Sequence, residues 1–510
     1  MGTEYLENGQ KKLSGGMLWL VAVLLSIGNF VAVLDMTITN VAVPTIAGSL
    51  GITTSQGTWI ITSYAVAEAI SVPLTGWLAM RFGSVRVFTF AMLAFGLTSL
   101  FCGLSTSFEM LLLGRILQGL SGGPMMPLAQ TLLMRIFPRE KVGAAMGLWA
   151  MTTVTAPVAG PILGGWLCDN FHWSYAFLIN VPIALICAPI IFNLIKRYEM
   201  PLVKKSVDFI GLGLLILWVG ALQIMLDEGK QHDWFASDEI RILFVVAIVG
   251  FFAFLIWEMT EPHPIVDLKV FRHPGYTSSV TTLVIAFGAF FGINVLNPLW
   301  LQGYMGYTST WSGMATAWSG VLAVVMSPLV GIHGKRFDPR LLVFVGVCWL
   351  GFIAIVRSFG ATNMTYWNVS IPILFLGLGM PLFFVPLSTL ALSSVNPEER
   401  ESAAGLMAFL RTLAGAIATS VVTTVWDDSI KRNYAEMASS VDPTGEVAAA
   451  SHSQLETALN YSQHLMPEAV MIATNQTFFA LGLITLFAAC TVWLSPKPKG
   501  GMGGEMPSGH

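Results

Sequence analysis

Ser71-Val72-Pro73-Leu74-Thr75-Gly76-Trp77-Leu78-Ala79-Met80-Arg81-Phe82 and Ser327-Pro328-Leu329-Val330-Gly331-Ile332-His333-Gly334-Lys335-Arg336-Phe337 decide the fold. Pro73, Leu74, Gly76, Arg81 and Phe82 match Pro328, Leu329, Gly331, Arg336 and Phe337 at a separation of 255 residues. A second set matches at 259: Pro127, Leu128, Pro138, Ala144 and Ala145 with Pro386, Leu387, Pro397, Ala403 and Ala404. Chance supplies either set alone. Two sets at nearly one offset, at equivalent helix ends, argue for duplication. A chain duplicated at about half its length, with a substrate path between the halves, is a transporter architecture.

The segments around these repeats are apolar. Of 510 residues, 55% are hydrophobic and 11% charged, and mean hydropathy is +0.70. A soluble protein carries about 25% charged residues, so this chain has too little charge to cover a soluble surface. Spanning helices need about 20 apolar residues. The sequence offers fourteen such stretches: 17–40, 59–79, 87–105, 109–134, 142–166, 173–195, 208–227, 242–258, 276–301, 311–333, 341–358, 368–394, 402–426 and 474–495. The repeat offset covers eight of these, not six, so 208–227 and 242–258 read as inserted between two six-helix bundles. The expected fold is an all-α polytopic membrane protein with two pseudo-symmetric six-helix bundles and two inserted helices. The expected division is a tail (1–16), an N-terminal bundle (17–195), a linker with the inserted pair (196–275) and a C-terminal bundle (276–495). The last contains a polar, partly helical outer loop (427–473) and is followed by a glycine-rich, disordered tail (496–510). The stretch from Met17 outlasts a signal peptide's apolar region and lacks a cleavage pattern before Asp35, so it reads as a retained helix.

Orientation follows from Lys and Arg in the loops. With the N-terminus inside, inner segments hold 19 of the 26 and outer segments hold 5, while Arg115 and Arg411 lie within spans. Both termini are therefore expected in the cytoplasm. The net charge of −3 suggests no nucleic-acid partner. Five cysteines without a CxxC pair exclude a disulfide scaffold and a zinc cluster. The histidines show no ligand spacing, so no metal is expected, and no GxxxxGK[ST] run offers a nucleotide site.

Four motifs resemble those of a known family. Val33-Leu34-Asp35-Met36-Thr37-Ile38-Thr39-Asn40-Val41-Ala42-Val43-Pro44 resembles a first-helix signature. Gly76 to Arg86 is similar to a cytoplasmic loop motif between helices 2 and 3, with Gly76, Arg81, Gly83 and Arg86 present and Met80 where an acid usually stands. Arg115-Ile116-Leu117-Gln118-Gly119 resembles a helix-4 motif. Gly160-Pro161-Ile162-Leu163-Gly164-Gly165 resembles the helix-5 antiporter motif. Together they resemble the major facilitator superfamily, and within it the fourteen-span drug:proton antiporters. Gln223 to Asp227, Asp233-Trp234-Phe235 and Pro264 to Leu268 are similar to the EmrB-type subgroup of Gram-negative bacteria.

The resemblance implies a proton-coupled exporter in the bacterial cell inner membrane, moving amphipathic drugs, uncouplers, detergents or fatty acids, with the proton as coupling ion and no other cofactor. It also implies a periplasmic adaptor (a membrane-fusion protein) and an outer-membrane channel as partners, besides membrane lipid. Loop 427–473 is the candidate adaptor surface; the competing reading is a flexible cover. The helix-5 motif Gly160, Pro161, Gly164 and Gly165 would act in gating, or serve only close packing. Gln118 and Asn40 are candidates to line the substrate cavity or partner a charge.

Charges inside a membrane are costly and are functional candidates by default. At 1.5 Å per residue, Asp35 lies about 24 Å in from Trp19 and Arg115 about 9 Å in from Glu109, at similar depth in the outer half. Asp35 and Arg115 are candidate proton-coupling residues; the alternative is a static buried salt bridge. Glu68 lies near the midplane with no partner among its sequence neighbours. Low-dielectric surroundings disfavour an ionised carboxyl, which suits a proton carrier. The alternative is a neutral, hydrogen-bonded acid in the pore wall. Arg411, about 13 Å into its helix, would hold a counter-carboxylate, meet anionic substrates, or bond backbone carbonyls. An uptake symporter of the same fold and a non-transporting membrane receptor or enzyme are the other functional readings.

Overall fold

The computed structural model describes residues 13, 15–199, 202, 208–229, 231–262, 264–333, 337–396, 399–439 and 454–496. The expected tails, apart from a few flanking residues, and the centre of the outer loop lie outside them, as do Lys335 and Arg336. The described helices are α1 (Gly15–Leu50), α2 (Thr54–Gly57), α3 (Trp59–Phe82), α4 (Ser84–Gly103), α5 (Phe108–Gly122), α6 (Met125–Ile136), α7 (Arg139–Asn170), α8 (Tyr175–Leu178) and α9 (Asn180–Ile195). There follow α10 (Phe209–Glu228), α11 (Asp238–Thr260), α12 (Pro274–Gly303), α13 (Ser309–His333), α14 (Pro339–Arg357), α15 (Tyr366–Ser393), α16 (Arg400–Ser439) and α17 (Gln454–Thr491). Three short segments continue into longer ones: α2 into α3, α5 into α6 and α8 into α9. The result is fourteen helical spans.

Ten of the fourteen are apolar and long enough to cross a membrane on composition alone. The others are α3, the α5–α6 pair, α7 and α13. Two of them, α3 and α5, carry Glu68 and Arg115. The expected single span 109–134 is broken between α5 and α6, at Gly123-Pro124, where proline removes a helix donor. α16 and α17 are far longer than expected. At 1.5 Å per residue they measure about 60 and 57 Å, against a bilayer core of about 30 Å. Much of the polar segment 427–473 is therefore helix extended beyond the apolar spans.

Packing explains the duplication. In the first half α1 packs on α7, α6 and α9, α3 on α5, and α4 on α5 and α9. In the second half α12 packs on α16, α15 and α17, α13 on α15, and α14 on α15 and α17. Each contact in one half has its counterpart in the other. The halves meet through a symmetric pair of seams, α3 with α16 and α7 with α13, while α1 meets α12 on the axis. α10 and α11 pack on each other, and α10 reaches the α3–α16 seam. Their exposure sorts the helices: 67% of the apolar window of α12 is buried against 22% for α11. α12 is thus central and α11 faces lipid.

An even number of spans puts Gly15 and Thr491 on one face, here called the terminal face. The opposite face is distal. Hydrogen bonds between the halves cluster distally among the described residues. Thr45 and Ser309 hydroxyls lie 2.8 Å apart, and Gln302 Nε2 donates to the Val41 carbonyl at 2.9 Å. The Asp169 carboxylate, from α7, accepts from Ser309 N (3.1 Å) and Thr310 N (2.7 Å). It caps the N-terminus of α13 in the other half, where free N–H groups and the helix dipole favour an anion.

Candidate functional site

The centre of the first half is a buried, hydrogen-bonded charge cluster. Ser107 caps α5, its hydroxyl accepting from Met110 N at 3.2 Å, and this helix presents Arg115 and Gln118 one turn apart on the same face. Arg115 Nη1 donates to Asp35 Oδ2 at 2.5 Å, and both residues are fully buried. Arg115 Nε donates to the Ile60 carbonyl of α3 at 2.9 Å, and Nη1 to Gln118 Oε1 at 2.6 Å. Gln118 Nε2 donates to Asp35 Oδ1 (2.8 Å) and to Ser99 Oγ of α4 (2.7 Å). Asn180 Nδ2, at the start of α9, donates to Asp35 Oδ1 at 2.7 Å. The Tyr64 ring lies 4.3 Å from the guanidinium carbon. Five helices of one bundle therefore converge on one ion pair. Buried pairs are tolerated when their remaining donors and acceptors are bonded; here both Asp35 oxygens and the Arg115 Nε and Nη1 are bonded, while Asn180 Oδ1 and the Tyr64 hydroxyl find no partner among the described residues.

The structure brings Asp35, Arg115 and Gln118 together. Gln118 is buried as a charge partner, not set in an open cavity. Asn40 stands apart from the cluster, its amide oxygen buried without a hydrogen-bond partner. Asn180 and Ser99 fill the place instead. A lone amide in the apolar run 176–188 is the signal that could have found Asn180.

Glu68 and Arg411 face the seam between the halves. Glu68, on α3, is half-buried, and its carboxyl makes no hydrogen bond or ion pair among the described residues. Its charged neighbours are Arg411 first, then Arg115 and Asp35. Among the described residues Arg411, on α16, has soft contacts: the Met126 sulfur at 3.5 Å and the Phe287 ring centroid at 5.8 Å. Opposite charges on opposite halves thus lie near each other without closing into an ion pair.

A third group went unassigned in the sequence, although its motif is quoted above. Asp227, near the distal end of α10, is buried. Its Oδ2 accepts from Thr62 Oγ1 of α3 at 2.8 Å and its Oδ1 from Gln223 Nε2 at 3.0 Å. Ser420 Oγ of α16 also donates to Oδ1, and Gln223 Nε2 donates to that hydroxyl at 2.6 Å. One carboxylate of the inserted pair therefore ties the two halves together.

The glycine row of α7 lies in two seams. A Cβ on Gly160 would collide with Thr37, and one on Gly164 would crowd Ile38 of α1. A Cβ on Gly165 would strike the Ser309 carbonyl, and one on Gly313 would strike the Pro161 carbonyl of α7. Small residues let the backbones approach. On the terminal face, Arg81 and Arg86 are exposed and Gly76 faces open space. Gly83 has φ +96°, and a Cβ there would collide with Glu199. The Glu199 carboxylate accepts from Val85 N (3.0 Å) and Arg86 N (3.1 Å). Glu199, from the far end of the bundle, thus caps the N-terminus of α4.

Two pseudo-symmetric bundles, the first of them built around an intramembrane ion pair, define a multi-pass membrane transporter. The chain belongs to the Major Facilitator Superfamily, whose family model matches residues 25–419. It is 40% identical over 504 residues to the Multidrug export protein EmrB of Escherichia coli (strain K12), covering 97% of this chain and 98% of that one. It is also 40% identical over 506 residues to the Fatty acid resistance protein FarB of Neisseria gonorrhoeae, covering 96% and 99%. Among solved structures, a bacterial homologue of the lysosomal transporter Spinster, inward-facing and unoccupied, superposes with a TM-score of 0.62 at 15% identity, covering 95% of this chain and 100% of that one. A D-xylose-proton symporter gives a TM-score of 0.60 at 14% identity, covering 95% and 98%. These two likenesses carry the fold alone.

Proposed function

We propose that the chain exports amphipathic hydrophobic compounds, drugs or fatty acids, across the bacterial inner membrane in exchange for protons. The observation that carries this reading is the pair Glu68 and Arg411, opposite charges on opposite halves with no partner closed. Identity over the whole length to a multidrug export protein and to a fatty acid resistance protein supports the substrate class. The distribution of Lys and Arg supports a distal face in the periplasm and both termini in the cytoplasm. In this reading Glu68 or Asp35 takes a proton from the periplasmic side, and protonation lowers substrate affinity there. Asp35 acts with Arg115 and Gln118, while the Gly160, Pro161, Gly164 and Gly165 row and the Gly76–Arg86 loop are gating elements. A membrane potential supplies about 2.3 kcal/mol per charge per 100 mV, and a pH unit about 1.4 kcal/mol. One or two protons would sustain concentration ratios of roughly 10²–10⁵.

The distal extensions of α16 and α17 supply a surface for a periplasmic adaptor, which would pass cargo to an outer-membrane channel. The test is proton-driven dye uptake into inverted vesicles. Loss of transport, or a shifted pH profile, in Glu68→Gln and Asp35→Asn is expected. If both variants transport at wild-type rates with unchanged pH dependence, the coupling mechanism is wrong. Dye movement along with the imposed proton flux, rather than against it, would make the protein an uptake symporter.

A further inference from the structure

Arg357 is the last residue of α14, and the sequence assigned it to an outer segment. In the structure it is only 7% exposed. Its Nη2 donates to Asn297 Oδ1 of α12 at 2.5 Å, and its guanidinium carbon lies 4.3 Å from the centroid of the Phe478 ring of α17. No carboxylate pairs with it among the described residues. A guanidinium carries five N–H donors, and one neutral acceptor leaves most of them unmet. A buried charge without a counter-ion is costly, and intramembrane charges mark ligand paths.

A cavity of about 320 Å³ lies beside this group, walled by Arg357, Phe478, Trp300, Trp367 and Ile371 among others. Trp367 and Ile371 are 55% and 46% exposed on a spanning helix, so the cavity opens toward lipid. α14 has 19 residues, about 28 Å of helix, close to the full bilayer core. The guanidinium therefore sits at head-group level in the distal leaflet. A second cavity of about 260 Å³ shares Trp300 and Met364 with the first and leads to Tyr304 and Thr362 at the distal surface.

We propose that Arg357 clamps the head group of an anionic amphiphile, a carboxylate or phosphate on an acyl chain, at a second site separate from the Glu68–Arg411 seam. The planar guanidinium presents its free N–H edge to the anion in bidentate fashion, while Asn297 and Phe478 hold its orientation. Trp300, Trp367 and Ile371 take the first methylenes of the tail, and the rest lies in lipid. The volume is at the small end for ligand pockets and suits a head group with a short length of chain. Cargo released distally and an acidic lipid of that leaflet share this chemistry.

The test uses the purified full-length protein in nanodiscs of phosphatidylcholine. Tryptophan quenching is titrated with dibromostearate, with brominated phosphatidylglycerol, and with brominated phosphatidylcholine as the uncharged-net baseline. Saturable quenching above that baseline by at least one anionic probe is expected. Arg357→Gln should weaken it about tenfold, and Arg357→Lys, which keeps the charge but not the planar fork, should recover only part of it. Ile371→Phe, which narrows the tail slot from the lipid side without touching the charge, should also weaken it and guards against misfolding of the Arg357 variants. Stearate alone would identify a carboxylate ligand, phosphatidylglycerol alone a lipid phosphate, and both a site that reads head-group charge. Identical titrations for wild type and Arg357→Gln, or equal quenching by all three probes, would overturn the proposal. The assay involves no proton gradient and no flux, so its outcome is independent of the exporter reading.

Discussion

At Asp35 the carboxylate meets three donors, Arg115 and Gln118 from α5 and Asn180 from α9. Removing the cation alone strands a buried anion, which costs about 3–5 kcal/mol. Arg115→Leu is therefore expected to lower thermal stability in detergent, and Asp35→Asn added to it should restore part of the loss. Strictly additive effects in this double-mutant cycle would mean that the two groups are uncoupled. On the terminal face, Glu399 joins α12 to the loop before α16. Its carboxylate takes hydrogen bonds from His273 at 2.9 Å and Arg272 at 2.5 Å. The His273 bond foremost, helped by the Arg272 charge, holds this carboxyl below its ordinary range. A depressed carboxyl stabilises the fold above its unfolded pKa, and the contribution disappears as pH falls through its folded pKa. Thermal scans of wild type and Glu399→Gln should differ at neutral pH and converge below about pH 4; a gap that persists in acid would refute the linkage.

Among whole helices, the α7–α13 seam rests on glycines, and the Pro161 carbonyl occupies the space of a Gly313 side chain. Gly313→Ala must push the two helices apart, an overpacking cost of about 1–3 kcal/mol. Dye transport should fall in this variant while Gly213→Ala, at a position of α10 open to space, stays at wild-type rate. Equal rates in both would show that the seam does not limit transport. The motif Gly160 to Gly165 was legible as a packing row because small residues recur at helical spacing. Its partners were not legible: α1 and α13 are brought to it only by the fold. The same holds for Glu199. The carboxylate that caps α4 at Val85 and Arg86 comes from a residue more than a hundred positions away in the chain.

Over the whole molecule, the distal face is held by exchangeable hydrogen bonds beside an apolar cluster in which Val43 and Ile61 of the first half join Trp300 and Trp426 of the second. Thr45–Ser309, Gln302–Val41 and Asp169 with the α13 N-terminus each have a water-compatible alternative, as a rocking contact requires. A Thr45→Cys and Ser309→Cys pair, placed in a chain whose five native cysteines are replaced by alanine, should oxidise readily and stop transport until reduced. Full transport in the cross-linked protein would show that this face need not open. Asp227 belongs to the same closure, bonded to Thr62 of one half and to Ser420 of the other. The inserted helices are thus attached to the seam, not appended beside it.

The sequence alone determined the number of spans, the duplication and the inserted pair. These are additive, local quantities: the transfer cost of a segment and the rise per residue. Only the tertiary structure decided which polar groups meet. Membrane helices are apolar all round, so no stripe of polar residues marks the face that turns inward. Asn180, Ser99, Asp227 and Glu199 gained their partners, and Arg357 lost its expected exposure, from how the helices are rotated against one another. That rotation is set by packing between segments far apart in the chain.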